Sequence, residues 1–216
     1  MNHHYVLAYD VGQQHDYTAG TVIHATGEGR QRRYAVKHIE RYRGVSYPDV
    51  AQRITNRYEA VKRLAASTHA EPCRVDVVID ATGVGRAVVE FVRRDFDLRA
   101  RGITITGGVR SSVDKNGFDN VAKVELVTTA QAALQSRRLQ VSGQLPLARL
   151  LTDELRGFRV SISDTGHARF GNDAGSVRTA EHDDLVLSVA LGVWYLERRR
   201  GLSPEVRRRL LAAHGW

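Results

Sequence analysis

The sequence predicts an α/β fold in which a mixed central sheet, three antiparallel strands followed by parallel strands, carries helices on both faces. Two observations support this prediction. Three β-rich runs come first, at residues 5–9, 18–25 and 33–41, and polar turn residues separate them. After residue 46, helical apolar patterns alternate with short apolar runs, and this alternation is typical of strands connected by helices.

The elements after the three-strand meander are predicted from the spacing of their apolar residues. They are, in order, a helix opened by Tyr47-Pro48-Asp49, a strand at 74–79, a helix after the turn at 82–85, a strand at 103–106, a polar loop at 110–120, a helix at 121–134, a strand at 139–141, a helix at 146–155, a hairpin of residues 158–162 and 168–170, and a long helix over residues 182–199. The last helix is apolar on most of its sides, so we expect it to be largely buried.

Residues 1–200 are expected to form one domain, and residues 201–216 a basic tail helix. Gly201 ends the long helix, and Ser203-Pro204 is a capping residue followed by a proline at a first helical position. A chain of 216 residues with 42% apolar and 26% charged residues is large enough for one hydrophobic core.

The composition also indicates the cellular compartment of the protein. Cys73 is the single cysteine, which excludes an internal disulfide and a cysteine-based zinc cluster. No run approaches the roughly 20 apolar residues that span a bilayer, and the first residues do not resemble a signal peptide. We therefore expect a cytoplasmic protein with no membrane partner.

The chain is basic, with 32 lysines and arginines against 24 acids and a formal charge of +8. Such an excess attracts polyanions, and nucleic acid is the obvious one. Many basic proteins bind no nucleic acid, so the charge alone does not decide the partner.

Four aspartates stand out by position. Asp10 ends the first strand, Asp80 ends the fourth, and Asp183 and Asp184 begin the long buried helix. Acids at the carboxyl ends of neighbouring parallel strands meet at one edge of a sheet, and a helix across that edge adds a third. Their repulsion is relieved by hard divalent cations that prefer oxygen ligands, which predicts a site for Mg²⁺ or Mn²⁺. Two such ions about 4 Å apart would clamp a scissile phosphate without a covalent protein nucleophile.

Each acid alone has a simpler explanation. An Asp after a strand is a common turn residue, and an Asp at a helix start commonly caps backbone N–H groups. Adjacent helical residues also point about 100° apart, so only one of Asp183 and Asp184 is expected to face a metal squarely. The combination of all four is what favours a metal site.

Three segments together resemble the nuclease family of terminase large subunits, within the ribonuclease H-like superfamily. They are Tyr9-Asp10-Val11-Gly12, Val78-Ile79-Asp80-Ala81-Thr82-Gly83, and His182-Asp183-Asp184-Leu185-Val186, and the helix that starts at Lys123 also looks like its counterpart there. The resemblance covers residues 5–199. It implies a ribonuclease H-like fold, metal ligands at Asp10, Asp80, Asp183 and Asp184, and double-stranded DNA cut during packaging of concatemeric genomes, in a phage-infected or prophage-carrying cell.

The resemblance also implies partners that this chain does not supply. No Gly-x-x-x-x-Gly-Lys-Ser/Thr phosphate loop is present. A separate ATPase motor domain, a small terminase subunit and a portal are therefore the expected partners, and the chain is either an excised domain or a separately encoded nuclease.

Several further residues are weaker candidates. Asp16 is either a peripheral ligand or a turn residue, and His182 either contacts a phosphate or caps the helix. For DNA phosphates we expect contacts from Arg110, Lys115 and Lys123 near the polar loop, and a second basic group lies at a hairpin, formed by Arg30, Arg32 and Arg33. The alternative interpretation of each of these residues is a solvated surface charge.

Three alternative functions remain open. A Holliday-junction resolvase or transposase-like nuclease has the same fold and acidic site. A phosphotransferase of the actin or sugar-kinase type also places Asp-x-Gly after a first strand, but needs two duplicated domains and a longer chain. A degenerate nuclease fold that only binds DNA or assembles with partners is the non-enzymatic alternative.

Overall fold

The computed structural model describes residues 2–13, 16–107, 112–113, 118–157, 159–162, 168–171 and 183–198. The turn of the predicted hairpin and the predicted tail helix lie outside these residues. The division at residue 200 therefore stays a prediction. Within the described part, no helix has the length and apolar content required to cross a membrane.

The first three strands form the predicted antiparallel meander: β1 (His3–Asp10), β2 (Thr18–Thr26) and β3 (Arg33–Tyr42). Strand β1 is buried on both faces, as its uninterrupted apolar run predicts, because helices cover both sides of a central strand. In the register of the sheet, Asp10 lies opposite Ala19, and Ala19 lies opposite Arg41.

Five further strands join the first three in one eight-stranded sheet. They are β4 (Arg74–Asp80), β5 (Ala100–Thr106), β6 (Ser112–Val113), β7 (Phe118–Ala122) and β8 (Leu139–Val141), and the order across the sheet is β6-β7-β5-β4-β1-β2-β3-β8. Strands β4, β5 and β7 run parallel to β1. The predicted mixed sheet is thereby confirmed. The strands β9 (Arg159–Ile162) and β10 (Ala168–Gly171) form a separate antiparallel pair.

The prediction of a polar loop over residues 110–120 was wrong at its end, because residues 118–122 form β7 beside β5. Phe118 packs where Gly102 leaves room, since a Cβ on Gly102 would lie 2.5 Å from the Phe118 ring. Asp119 is buried but paired, and Arg101 donates to both of its carboxylate oxygens, at 2.8 and 2.6 Å. The predicted start of the next helix at residue 121 was two residues early, since it begins at Lys123.

Within the residues that the structure describes, five α-helices cover the sheet. Helices α1 (Tyr47–Thr68) and α2 (Gly85–Phe96) pack on one face, and α3 (Lys123–Gln135), α4 (Ala148–Gly157) and α5 (Asp184–Arg198) pack on the other. Helix α1 begins as predicted: the Ser46 hydroxyl accepts from the Asp49 N–H at 3.3 Å, and a proline occupies its first turn. Helix α5 is buried without a break from Leu185 to Leu196.

The topology of the sheet brings the carboxyl ends of several strands to one edge. Because β1, β3, β4, β5 and β7 run in the same direction, their carboxyl ends lie along one edge of the sheet. Asp10, Arg41, Asp80 and Lys123 all lie at or just beyond these ends. The amino ends of the same strands lie at the opposite edge.

Candidate functional site

Asp10 and Asp80 lie side by side at the carboxyl ends of β1 and β4. Tyr9 pairs with Ile79 in the parallel register, so the next residue of each strand is an aspartate. Burial first, and then the negative charges of Asp80, Asp184 and Asp183, raise the pKa of Asp10 well above its usual value. The four acids predicted to converge therefore share one electrostatic environment.

The turn after β4 fixes the Asp80 carboxylate. The Thr82 N–H donates to Asp80 Oδ1 at 2.8 Å, and Asp80 is only 8% exposed. Burial raises the pKa of Asp80, while the hydrogen bonds from Thr82 oppose this rise. A Cβ on Gly85 would lie 1.8 Å from the Asp80 carbonyl oxygen, so only glycine permits this approach of α2 to the strand end.

Asp183 and Asp184, at the start of α5, each face a different cation. Lys123 Nζ lies 3.0 Å from Asp183 Oδ2, and an Arg41 guanidinium nitrogen lies 2.9 Å from Asp184 Oδ2. The Asp183 side chain is 27% exposed and that of Asp184 is 15% exposed. The expected divergence of neighbouring helical side chains therefore appears as two separate ion pairs.

The aspartates are close, but they do not form a tight cluster of ligands. Among the described residues, no three of them place carboxylate oxygens within 4.8 Å of one another. Like charges repel, and the pairings with Lys123 and Arg41 hold Asp183 and Asp184 toward their cations. Coordination of a common ion by three of these acids therefore requires at least one carboxylate to move.

Two residues of this region escaped the sequence analysis. Glu154 of α4 is buried, and its Oε2 accepts from the Leu185 and Val186 N–H groups at 3.1 and 3.2 Å. It thereby caps α5 from another helix. Arg41, whose guanidinium carbon lies 3.9 Å from the centre of the Tyr17 ring, also approaches Glu154 Oε1 at 3.7 Å.

The signals for these two residues differ. Arg41 precedes the end of β3, which runs parallel to β1, so the rule that located Asp10 and Asp80 also places Arg41 at the edge. Glu154 has no comparable signal, because its partners lie 31 and 32 residues away along the chain.

The secondary candidates have different outcomes. Asp16 is a turn residue whose N–H donates to the Gln13 carbonyl at 2.6 Å, and it lines a cavity of about 300 Å³ with Gly12, Arg43 and Tyr47 among others. Lys123 lies within the acidic site itself. His182, Arg110 and Lys115 lie outside the described residues, so their roles stay predictions.

One cation of the hairpin group is not available to DNA. Arg32 is 8% exposed and donates to the Leu196 carbonyl at 2.7 Å, near the end of α5. It also contacts His4 Nδ1 at 3.0 Å, and His4 Nε2 lies 2.9 Å from Asp76 Oδ2. Arg32 therefore belongs to a buried polar network at the opposite edge of the sheet, whereas Arg33 is exposed.

The side chains of the acidic site fit a divalent cation. Within the described part of the chain, neither Asp10 nor Asp80 has a lysine or arginine at salt-bridge distance. A buried carboxylate pair that no salt bridge neutralises must share a proton or bind a metal ion. Carboxylate oxygens are the ligands that Mg²⁺ and Mn²⁺ prefer.

Comparison with known proteins identifies a family model and several solved structures that resemble this chain. The family model of the terminase RNaseH-like domain matches residues 7–193. No match was found among curated proteins.

Among solved structures, the large terminase nuclease of thermophilic phage G20c with bound cobalt is 22% identical at a TM-score of 0.56, covering 88% of this chain and 80% of that one. The human cytomegalovirus terminase nuclease domain soaked in Mn is 10% identical at 0.53, and the large terminase nuclease domain of bacteriophage SPP1 with bound Mn is 9% identical at 0.53. Both comparisons cover 90% of this chain and 86% of the other. These likenesses establish a ribonuclease H-like fold, and the family match shows that this chain belongs to the terminase RNaseH-like domain family.

Proposed function

We propose that this chain is a metal-dependent endonuclease that hydrolyses phosphodiester bonds of double-stranded DNA, as in terminase cutting of concatemeric genomes during packaging. The observation that carries the proposal is the buried pair Asp10 and Asp80, without a salt-bridge cation among the described residues and adjacent to the acidic start of α5. Metal-dependent hydrolysis of a phosphodiester bond requires a site that binds divalent cations and then the scissile phosphate.

Asp10, Asp80 and Asp183 are the proposed ligands of two divalent ions. When bound, such ions neutralise the scissile phosphate and favour both attack by water and departure of the 3′ oxygen. The Thr82 N–H holds the Asp80 carboxylate in place. Asp184 is held by Arg41, which Glu154 approaches in turn, and this pairing fits a supporting role in orienting α5 better than direct ligation.

Lys123 fits a second role at the same site. Its ammonium lies 3.0 Å from Asp183 and adds positive charge where a DNA phosphate would arrive. Transfer of this ammonium from the carboxylate to a phosphate oxygen would free Asp183 for metal while binding substrate. Phosphate contacts carry no base information, so we expect little sequence preference.

Related structures support the choice of cofactor and context. Terminase nucleases of this fold are described with bound magnesium, cobalt and manganese. We propose Mg²⁺ or Mn²⁺ for this chain, with DNA, a separate ATPase motor domain, a small terminase subunit and a portal as partners in the cytoplasm of an infected or prophage-carrying cell.

Nicking of supercoiled plasmid in Mn²⁺ tests the proposal. We expect Asp80→Asn to lower the rate at least about 100-fold, because charge stabilisation by metal contributes several kcal/mol to the transition state. Exposed Asp153 on α4 provides the matched control, and Asp153→Asn should cut at the wild-type rate. Intact plasmid with both wild type and Asp80→Asn would contradict the nuclease and favour a DNA-binding module. Cleavage of branched but not linear duplexes would favour a resolvase.

A further inference from the structure

Three histidines meet at the edge of the sheet opposite the acidic site. His3 lies at the start of β1, His24 near the end of β2, and His69 directly after α1. Among the described residues, they form the only trio of ligand-type side chains whose ligand atoms all lie within 4.8 Å of one another. Asp10 follows His3 by seven positions along β1, a distance of about 23 Å at the rise of an extended strand.

The spacing of the imidazole nitrogens is close to that of a metal site. His3 Nδ1 lies 3.0 Å from His24 Nε2. Zinc–nitrogen bonds of about 2.0–2.1 Å place two tetrahedral ligands about 3.3 Å apart, so little movement is required of this pair. The His69 ring stacks on that of His3, with centroids 3.7 Å apart, so His69 must reorient to direct a nitrogen at the same ion.

The surroundings of His24 keep its ring in the neutral form that a metal ligand requires. Burial, and then the neighbouring His3 and His69, lower the pKa of His24 to about 4, so this ring is neutral at neutral pH, as a ligand must be. Glu71 lies close enough for its negative charge to oppose the lowering of the pKa of His3. Its carboxylate or a water molecule would complete a four-coordinate site.

We propose that His3, His24 and His69 bind one transition-metal ion of the zinc class, separate from the catalytic site. Three imidazoles select Zn²⁺, or chemically similar Co²⁺ and Ni²⁺, over Mg²⁺. The ion would connect β1, β2 and the end of α1, which lie far apart along the chain. It would thus stabilise the edge of the sheet where the chain enters its central strand.

The other explanation for this cluster is an aromatic stack with internal hydrogen bonds. The rings of Tyr5 and His24 stack with centroids 4.2 Å apart, and the Tyr5 hydroxyl lies 2.9 Å from His69 Nε2. Binding of metal must displace the Tyr5 contact from His69 Nε2 or use the other ring nitrogen. The two explanations therefore differ in whether zinc binds, and in which variants abolish its binding.

The test is zinc binding by the whole chain in millimolar Mg²⁺, which occupies the oxygen ligands of the acidic site. We expect one Zn²⁺ per chain in dialysed protein by elemental analysis. Free Zn²⁺ at a hundredfold excess over Kd should raise Tm by roughly 5–10 °C. His24→Gln and His69→Gln should each weaken binding roughly 100-fold or more in calorimetry.

Two controls separate this site from others. His38→Gln alters a histidine of β3 outside the trio and should leave zinc affinity unchanged. Asp10→Asn combined with Asp80→Asn should retain the bound zinc, because the proposed site does not use the acids. If either trio variant fails to fold, two measurements replace it. His3→Gln, at the start of β1, should lose affinity for zinc. The visible spectrum of Co²⁺-loaded wild type should be that of a tetrahedral site. Absence of zinc uptake in Mg²⁺, or equal uptake in the trio variants, overturns the proposal.

Discussion

Lys123 Nζ lies 3.0 Å from Asp183 Oδ2, so a lysine at the start of α3 neutralises one of the proposed metal ligands at the start of α5. The contact joins two elements that are 60 residues apart along the chain. The Lys123 ammonium therefore lies where a divalent metal ion is proposed to bind, and the two positive charges must compete for the Asp183 carboxylate.

This competition predicts the effect of Lys123→Met. Without DNA, the variant should bind Mn²⁺ about tenfold more tightly, a gain of about 1.4 kcal/mol, because a neighbouring positive charge no longer repels the ion. Isothermal titration measures the affinity, and Lys62→Met on α1 is the control. If Lys123 instead orders the site, the variant will bind Mn²⁺ more weakly than wild type.

Asp10→Asn should have opposite effects on stability and on activity. Because burial and three neighbouring carboxylates raise the pKa of Asp10, this residue lowers the free energy of unfolding as pH rises above the ordinary pKa of an aspartate. Without metal at pH 8, the variant should be more stable by about 1–3 kcal/mol. Thermal unfolding in EDTA measures this gain, and plasmid nicking should be lost. A lower Tm than wild type in EDTA would mean that the Asp10 carboxylate stabilises the folded chain, and would contradict this prediction.

The sequence was most informative where local pattern and topology agree. Asp10 and Asp80 follow buried β-rich runs, and the rule for parallel strand ends was enough to predict that they are neighbours. Strand β7 was missed because its pairing partner, β5, and the room left by Gly102 are not local features. Glu154 was missed for the same kind of reason, since its role in capping α5 exists only in the folded chain.

Arg32→Ala should destabilise the protein without changing the acidic site. Arg32 is buried at the other edge of the sheet, where it donates to the Leu196 carbonyl and contacts His4. Its removal leaves these groups without their partner, at a cost of about 3–5 kcal/mol. Chemical denaturation measures the loss, and Arg33→Ala, which alters an exposed neighbour, should cost less than about 0.5 kcal/mol. A DNA-contacting Arg32 would instead show normal stability and weaker DNA binding.

Glu154→Gln should change how stability depends on pH. Burial raises the pKa of Glu154 from 4.5 to about 7 despite the N–H donors of Val186 and Leu185 and the charge of Arg41. Between pH 4.5 and about pH 7 the folded chain binds a proton that the unfolded chain has released. This residue therefore lowers the free energy of unfolding as pH rises toward 7, and causes no further loss of stability above pH 7. Glutamine has no charge to bury, and its carbonyl oxygen can still accept from the backbone of α5. The variant should therefore gain stability relative to wild type from pH 5 to pH 8, by at most about 3 kcal/mol. Urea unfolding at several pH values measures the difference, with Glu90→Gln, an exposed site on α2, as the control. A difference between wild type and variant that stays constant across this range would show that Glu154 remains ionised throughout.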